Sequence, residues 1–367
     1  MRNALGQIDV PGEHEARERT WTVLDAAFAE RQPTSRRSPL PRIAAVAVAA
    51  TALLLAVVSP PGRAVLDEIR EVVGVERAQP ALFSLPAPGR LLVASDAGVW
   101  VVQEDGSKRL LGDYREASWS PFGRFIVAAR ENELAALEPN GDVRWTLPRR
   151  GVRFPRWIGS ETDTRIAYHG RNVPRVVAGD GADDSPVCAV SARPIAPAWR
   201  PGAGFVLALV APSGTPYIVD LDGCVVRWTA AAVARPRRVE WSSDGTRLLV
   251  IGASAIRMID GRTGRVVAST LGADAAWRPG SRTLARIFHQ GKASRVIVGR
   301  KVVFSATGRL VQPAWTPDGR WLVVGWPTAD QWVFVRADGK RIRAVSNVSE
   351  QFRSRTFPRI EGWCCTP

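Results

Sequence analysis

Residues 314–320 read Ala-Trp-Thr-Pro-Asp-Gly-Arg, and the apolar run Trp321-Leu-Val-Val-Gly325 follows them directly. Pro-Asp-Gly is typical of a tight turn, because Pro presets the backbone angle φ and Gly accepts a positive φ. The run after the turn has the length and composition of a buried β-strand. This stretch therefore predicts a Trp-bearing strand, a tight turn and a second strand.

The same unit recurs along the chain. Close copies begin at Ser118 and Glu240, and weaker copies place Trp before Ile-Gly or Arg-Pro-Gly. Successive copies are 36 to 42 residues apart, which is the length of a four-stranded propeller blade. A ring of such blades buries both faces of every sheet and leaves only short edges. The repeated tryptophans are Trp119, Trp157, Trp199, Trp241, Trp277 and Trp315.

The two ends of the repeat region predict how the ring closes. Residues 91–111 contain the second, third and fourth strands of a unit but lack its Trp strand, whereas residues 357–363 supply one with Trp363. A strand from the last segment would thus complete the first blade. We predict an all-β fold, a β-propeller of seven four-stranded blades, or of six if one degenerate unit is not a true sheet.

These motifs resemble the WD40-like repeat of the periplasmic TolB propeller group. The resemblance rests on residues 314–320, the strand after them and the Asp338-Gly339 turn, and it covers roughly the last three quarters of the chain. It implies a propeller in which each Trp wedges between blades. A motif of this kind specifies a fold rather than an activity, so the resemblance names no function.

Residues 43–59 (IAAVAVAATALLLAVVS) carry no charged side chain. As a helix this run rises about 25 Å, near the lower limit for spanning a bilayer. Arginines precede it and a nearly balanced set of charges follows it, so the positive-inside rule predicts a single-pass membrane anchor with a cytoplasmic N-terminus and an extracytoplasmic propeller. A cleaved signal peptide is the alternative, although 42 residues precede the apolar run and no clear Ala-x-Ala site follows it.

The predicted domain organisation has four parts. A cytoplasmic segment over residues 1–42 contains an amphipathic helix (13–31) and a Pro/Ser linker, residues 43–59 form the transmembrane helix, residues 60–85 form a juxtamembrane helix and linker, and residues 86–367 form the propeller. We expect the helix over 13–31 to dock on a cytoplasmic protein, a second copy of the chain or the membrane surface, and the first of these would resemble membrane-anchored regulators such as anti-sigma factors. An unpartnered juxtamembrane helix fits the pattern equally.

No catalytic pattern is found in the sequence. His14 is placed in the cytoplasm, and His169 and His289 are interpreted as turn or edge residues of different blades. There is no Gly-x-Ser-x-Gly motif, no Gly-rich phosphate loop and no zinc-like spacing, and the aspartates fall mainly at turns, as in Asp183-Asp184. We therefore expect no enzyme activity, no cofactor and no metal site. A lyase or glycosidase on a propeller scaffold is the alternative, and it would require a His beside carboxylates at the channel mouth.

The four cysteines leave several pairings open. An exported domain lies in an oxidising compartment, which permits disulfides. Cys188, interpreted as part of a fourth strand, and Cys224, at a turn of the next blade, are one candidate pair. Cys364 and Cys365 could form a vicinal disulfide, a cross-link that secures the closure, or two free thiols.

Charge placement is the main indication of function. The formal net charge is +15, and residues 1–42 carry seven Arg against six acids, so nearly all of the excess lies in the exported part. If the Trp strands are innermost, the Arg-rich loops that lead into them meet on one face around the central channel. Such a rim would attract an anionic ligand. The candidate rim residues are Arg149, Arg150, Arg153, Arg156, Arg193, Arg235, Arg237, Arg238, Arg353, Arg355 and Arg359.

The sequence thus favours a non-enzymatic binding or sensing module that engages a protein or an anionic envelope polymer outside. Nucleic acid is not expected as a partner, because the domain is predicted to be exported and carries no recognised reading module. A dispersed, solvated Arg surface, partly neutralised by Glu116, Glu240, Asp274 and Glu361, explains the charge equally well. A passive scaffold would be favoured by an apolar plug in the channel and scattered arginines.

Overall fold

A computed structural model describes residues 84–365 of this chain, except residues 161, 172 and 203. The predicted amphipathic helix, transmembrane helix and juxtamembrane helix lie outside the described residues. Within the described part of the chain, no helix is long and apolar enough to cross a membrane. This part forms seven antiparallel sheets of four strands each, which confirms the seven-bladed prediction.

Blades 2 to 4 each take four consecutive strands, in order from the first to the fourth position of the sheet. Blade 2 contains β4 (Glu116–Trp119), β5 (Ile126–Arg130), β6 (Glu133–Leu137) and β7 (Val143–Pro148). Blade 3 contains β8 (Val152–Gly159), β9 (Thr164–Gly170), β10 (Val173–Ala178) and β11 (Ser185–Pro186). Blade 4 contains β12 (Ala198–Trp199), β13 (Val206–Val210), β14 (Pro216–Asp220) and β15 (Val225–Thr229).

Blades 5 to 7 repeat this order. Blade 5 contains β16 (Arg238–Trp241), β17 (Arg247–Ile251), β18 (Ala255–Asp260) and β19 (Val266–Leu271). Blade 6 contains β20 (Asp274–Trp277), β21 (Leu284–Gln290), β22 (Ala293–Val298) and β23 (Lys301–Thr307). Blade 7 contains β24 (Val311–Trp315), β25 (Trp321–Trp326), β26 (Gln331–Arg336) and β27 (Ile342–Ser346), and a short helix α1 (Val348–Gln351) follows it.

Blade 1 joins the two ends of the described chain. It contains β1 (Arg90–Ser95), β2 (Gly98–Val102) and β3 (Lys108–Gly112), and its first position is taken by β28 (Arg359–Cys364). The register runs antiparallel from Arg90 opposite Cys364 to Ala94 opposite Arg359. Because residues 91–94 are fully buried, this pairing closes the ring over an apolar core, as the missing Trp strand predicts.

The first strands of the seven blades are innermost. Each of them contacts the first strands of both neighbouring blades, so together they form the wall of the central channel. All seven repeat tryptophans lie on these strands. The indole N–H of Trp199 donates to the carbonyl of Arg156 in the preceding blade at 2.8 Å, and Trp241 donates in the same way to Ala198 at 3.1 Å. The tryptophans therefore join adjacent blades.

The Trp-Arg-Pro-Gly copies join blades in a second way. Arg200 Nε donates to the carbonyl of Gly245, in the tight turn of the next blade, at 2.8 Å. Its guanidinium lies over the ring of Trp241, 5.3 Å from the centroid, which is a cation–π contact. Arg278, in the other Trp-Arg-Pro-Gly copy, makes the same two contacts with the next blade, and so does Arg90 at the start of β1. In these copies the side chain after Trp secures the neighbouring turn.

Candidate functional site

The inner strands run in the same direction around the ring, so the loops that lead into them lie on one face. We call this the arginine face, and we call the opposite face, which carries the tight turns of the repeat, the turn face. All eleven predicted arginines lie in the lead-in loops or on the inner strands. Four of them, Arg156, Arg237, Arg238 and Arg359, line a central channel with a cavity of about 530 Å³, to which all seven blades contribute.

Four carboxylates lie on the channel strands beside arginines. Glu116 and Glu361 are nearly buried, with side chains 12% and 9% exposed. Burial raises the pKa of Glu361, and the guanidiniums of Arg156 and Arg359 only partly offset this. Each of the four carboxylates pairs with an arginine. The ion pairs are Arg153–Glu116 at 3.5 Å, Arg238–Glu240 at 3.3 Å, Arg238–Asp274 at 3.2 Å and Arg359–Glu361 at 3.1 Å.

Three of these carboxylates also accept a backbone N–H from the next blade. Glu116 accepts from Phe154, Glu240 accepts from Trp277 at 3.0 Å, and Asp274 accepts from Gln312 at 3.2 Å. Phe154 and Gln312 have positive φ angles of 57° and 54° and lie at irregular pairings of their inner strands. The channel acids thus hold adjacent blades together.

Several predicted rim arginines bond to the protein itself. Arg237 donates to the carbonyls of Gly252 and Ala273, and Arg193 donates to Pro212 at 3.1 Å. Arg353 lies over the ring of Trp100. By contrast, the side chains of Arg150, Arg235 and Arg355 are exposed and have no hydrogen-bond or ion-pair partner among the described residues. The rim therefore contains both structural and free arginines.

A second cavity on the arginine face lies between blades 2 and 3. It is open, has a volume of about 900 Å³, and is lined by Arg149, Arg150, Arg171 and Arg175; we call it the basic pocket. Arg171 and Arg175 were not predicted as rim residues. Arg171 follows the end of β9 and Arg175 lies within β10. Neither lies in a lead-in loop, so the spacing of the repeat does not indicate them.

A third cavity, on the turn face, is aromatic. It also lies between blades 2 and 3, has a volume of about 460 Å³ and is lined in part by Phe122, Phe125, Trp145 and Trp157. Phe125 and Trp157 stack with centroids 6.2 Å apart.

The interpretation of His169 as a turn or edge residue was wrong. His169 lies in β9, the second strand of blade 3, and is 1% exposed. Its Nε2 is 3.1 Å from the carbonyl oxygen of Ile195, so this nitrogen carries the proton, and burial lowers the pKa to about 4. His289, in β21, bonds to the hydroxyl of Ser294 at 2.8 Å. Among the described residues, neither ring hydrogen-bonds a carboxylate.

The cysteines form two disulfides, Cys188–Cys224 and Cys364–Cys365. The placement of Cys188 in a fourth strand was wrong, because β11 ends at Pro186 and Cys188 lies in the loop after it. Its bridge joins blades 3 and 4. Within the described part of the chain, no group of three or more His, Cys, Asp or Glu side chains could hold a metal ion.

Comparison with known proteins supports the fold. No family model and no curated protein matches the sequence. Among solved structures, the C-terminal WD40 domain of Sif2 is similar over 75% of this chain and 90% of its own, with 12% identity and a TM-score of 0.56. The Myceliophteria thermophila Cps50 (Swd1) β-propeller domain is similar over 64% of this chain and 86% of its own, with 12% identity and a TM-score of 0.51.

An enzyme is also among the similar structures. Dihydro-heme d1 dehydrogenase NirN, in complex with DHE, is similar over 77% of this chain and 67% of its own, with 12% identity and a TM-score of 0.51. At this identity, the three likenesses show a WD40-like propeller fold and say nothing about activity.

Proposed function

We propose that this chain is a membrane-anchored, extracytoplasmic propeller that binds an anionic partner, a protein or an envelope polymer, through its arginine face. The observation that carries the proposal is the gathering of the Arg-rich lead-in loops on one face, with free guanidiniums at Arg150, Arg235 and Arg355. Guanidiniums recognise carboxylate and phosphate groups through paired hydrogen bonds.

The location outside the cell rests on three features. The apolar run over residues 43–59 has arginines on its N-terminal side, and a nearly balanced set of charges follows it directly. The Cys188–Cys224 disulfide suits an oxidising compartment. On this proposal the ring senses or captures its partner outside, and the helix predicted over residues 13–31 recruits a cytoplasmic protein.

The test is capture of envelope components on the immobilised full chain. We expect retention at low salt and release at high salt, because binding between opposite charges is screened by salt. The double variant Arg235→Glu with Arg355→Glu should lose the retained component. The matched control is Arg124→Glu with Arg262→Glu, which makes the same change in charge at exposed positions of the turn face and should retain it.

Two outcomes would overturn this proposal. Retention that survives both high salt and the arginine-face variant would mean that charge on this face is not the determinant. Equal loss in both double variants would mean that only the total charge of the protein matters.

A further inference from the structure

The basic pocket between blades 2 and 3 is lined by arginines and by no carboxylate side chain of the described residues. Four guanidiniums surround it, whereas the channel is lined by both arginines and carboxylates. The pocket opens at the ends of β7 and β9 and at the start of β10, so it belongs to two neighbouring blades.

One buried carboxylate organises the pocket. Asp184, with its side chain 7% exposed, accepts two hydrogen bonds from Arg175 at 2.9 Å and also pairs with Arg149. The hydroxyl of Tyr168 donates to the same carboxylate at 2.7 Å. Asp184 therefore fixes the two inner guanidiniums in place before any ligand arrives, which lowers the entropic cost of binding.

Positive charge remains in excess after this pairing. One carboxylate faces four guanidiniums, which leaves three positive charges, and Arg150 and Arg171 are exposed and unpaired among the described residues. The Nε atom of Arg149 is buried and has no hydrogen-bond partner there. The carboxylates nearest in sequence do not cancel this charge, because Glu131 pairs with Arg115 and Asp183 does not line the pocket.

Two glycines bring the arginines close together. A Cβ on Gly170 would come within 3.1 Å of Arg175 and 3.5 Å of Arg149, and a Cβ on Gly151 would come within 3.0 Å of the backbone of Arg171. Gly170 therefore leaves room for the side-chain methylenes of Arg175 and Arg149, and Gly151 leaves room for the backbone of Arg171. An open pocket with this charge suits a multivalent oxyanion better than a single carboxylate, since each phosphate group offers several acceptors to the forked donors of Arg.

We infer that the basic pocket binds a ligand with two or more phosphate groups, held by Arg150 and Arg171 at the rim and by the Asp184-ordered pair Arg149 and Arg175 inside. This inference rests on the proposed function and assigns the chemistry of the anion to one pocket of the arginine face. Free oligophosphate and a phosphodiester polymer of the envelope present the same chemistry.

The test is titration calorimetry of the full chain, in a non-ionic detergent, with sodium tripolyphosphate at low salt. We expect saturable binding that weakens at least tenfold in Arg150→Gln with Arg171→Gln, because each loses a charge-assisted contact. Both side chains are exposed and make no described contact, so the variant should fold. The control Arg124→Gln with Arg262→Gln should bind as the wild type does.

Further arms separate the ligand classes. Citrate should bind at least fivefold more weakly than tripolyphosphate, and equal binding would overturn the assignment to phosphate. Competition by poly(glycerol phosphate) would identify a phosphodiester polymer as the source, and its failure to compete would identify free oligophosphate. Absence of tripolyphosphate binding, or equal weakening in both double variants, would overturn the inference.

The two proposals can fail separately. If the Arg235 and Arg355 variant loses envelope capture but the wild type binds no phosphate, the arginine face is an interaction surface and the inference about the basic pocket is wrong. If phosphate binding depends on Arg150 and Arg171 but envelope capture resists high salt, the basic pocket binds phosphate and the proposed partner surface is wrong.

Discussion

His169 is expected to make the propeller sensitive to mild acid. The folded ring holds this imidazole neutral, since Nε2–H donates to Ile195 and Nδ1 is buried with no partner among the described residues. Protonation would add a charge and a second N–H that the site does not satisfy, with Arg153 nearby. The pKa of His169 falls from 6.5 to about 4 on burial.

The sign and size of the effect follow from this shift. A group with a lowered folded-state pKa stabilises the fold above its unfolded pKa, and the stabilisation is lost as the pH falls. His169 has a pKa of 6.5 in the unfolded chain and of about 4 in the fold. Lowering the pH from 7.5 to 4.5 therefore decreases the free energy of unfolding by about 2.5 kcal/mol. The loss should begin near pH 6.5 and continue toward pH 4.

Denaturant unfolding of the full chain, followed by Trp fluorescence, measures this loss at pH 7.5, 6.0 and 4.5. His169→Gln keeps a donor for the carbonyl of Ile195 but cannot titrate, so its stability should fall by about 2.5 kcal/mol less than that of the wild type over the range. His289→Gln is the control, because His289 is more exposed, and it should keep most of the wild-type dependence. Parallel pH dependences for wild type and His169→Gln would refute the reasoning.

Two further variants test how the blades are joined. Replacing Cys188 and Cys224 with Ala removes a cross-link between residues 36 apart; unfolding in non-reducing buffer should show a loss of about 3–4 kcal/mol, and unchanged stability would contradict a stabilising bridge. Arg278→Met removes a hydrogen bond and a cation–π contact and should cost about 1–2 kcal/mol in the same assay. The exposed Arg262→Met should change stability by less than about 0.5 kcal/mol, and an equal loss there would contradict the inter-blade role of Arg278.

The blade count and the closure were predictable because they are local properties of the sequence. Each repeat carries its own Trp strand and turn, and a missing strand at one end matched an extra strand at the other. The Trp-Arg-Pro-Gly copies were interpreted only as weaker versions of the motif. Their Arg serves the turn of the following blade, a role that becomes visible only when two repeats lie side by side.

The basic pocket was not predictable for the same reason. Asp183-Asp184 was interpreted as a turn pair, yet Asp184 is buried by its contacts with Arg149, Arg175 and Tyr168. Arg149 precedes β8, whereas Asp184 precedes β11, the outermost strand of the same blade. Nothing in the spacing of the repeat indicates that these side chains meet. The burial of His169 was also not predictable, because the strand register determines which residues of β9 are buried.

The pairing of β1 with β28 also affects how the chain folds. The two strands of this pair lie at opposite ends of the described chain. The first blade therefore has only three strands until β28 has been synthesised. During that interval the apolar edge of residues 91–94 has no partner, and an open edge of this kind readily pairs with another chain. At high concentration, β28 of one copy is expected to close the first blade of another, so that exchanged dimers form by the same hydrogen bonds that complete the monomer.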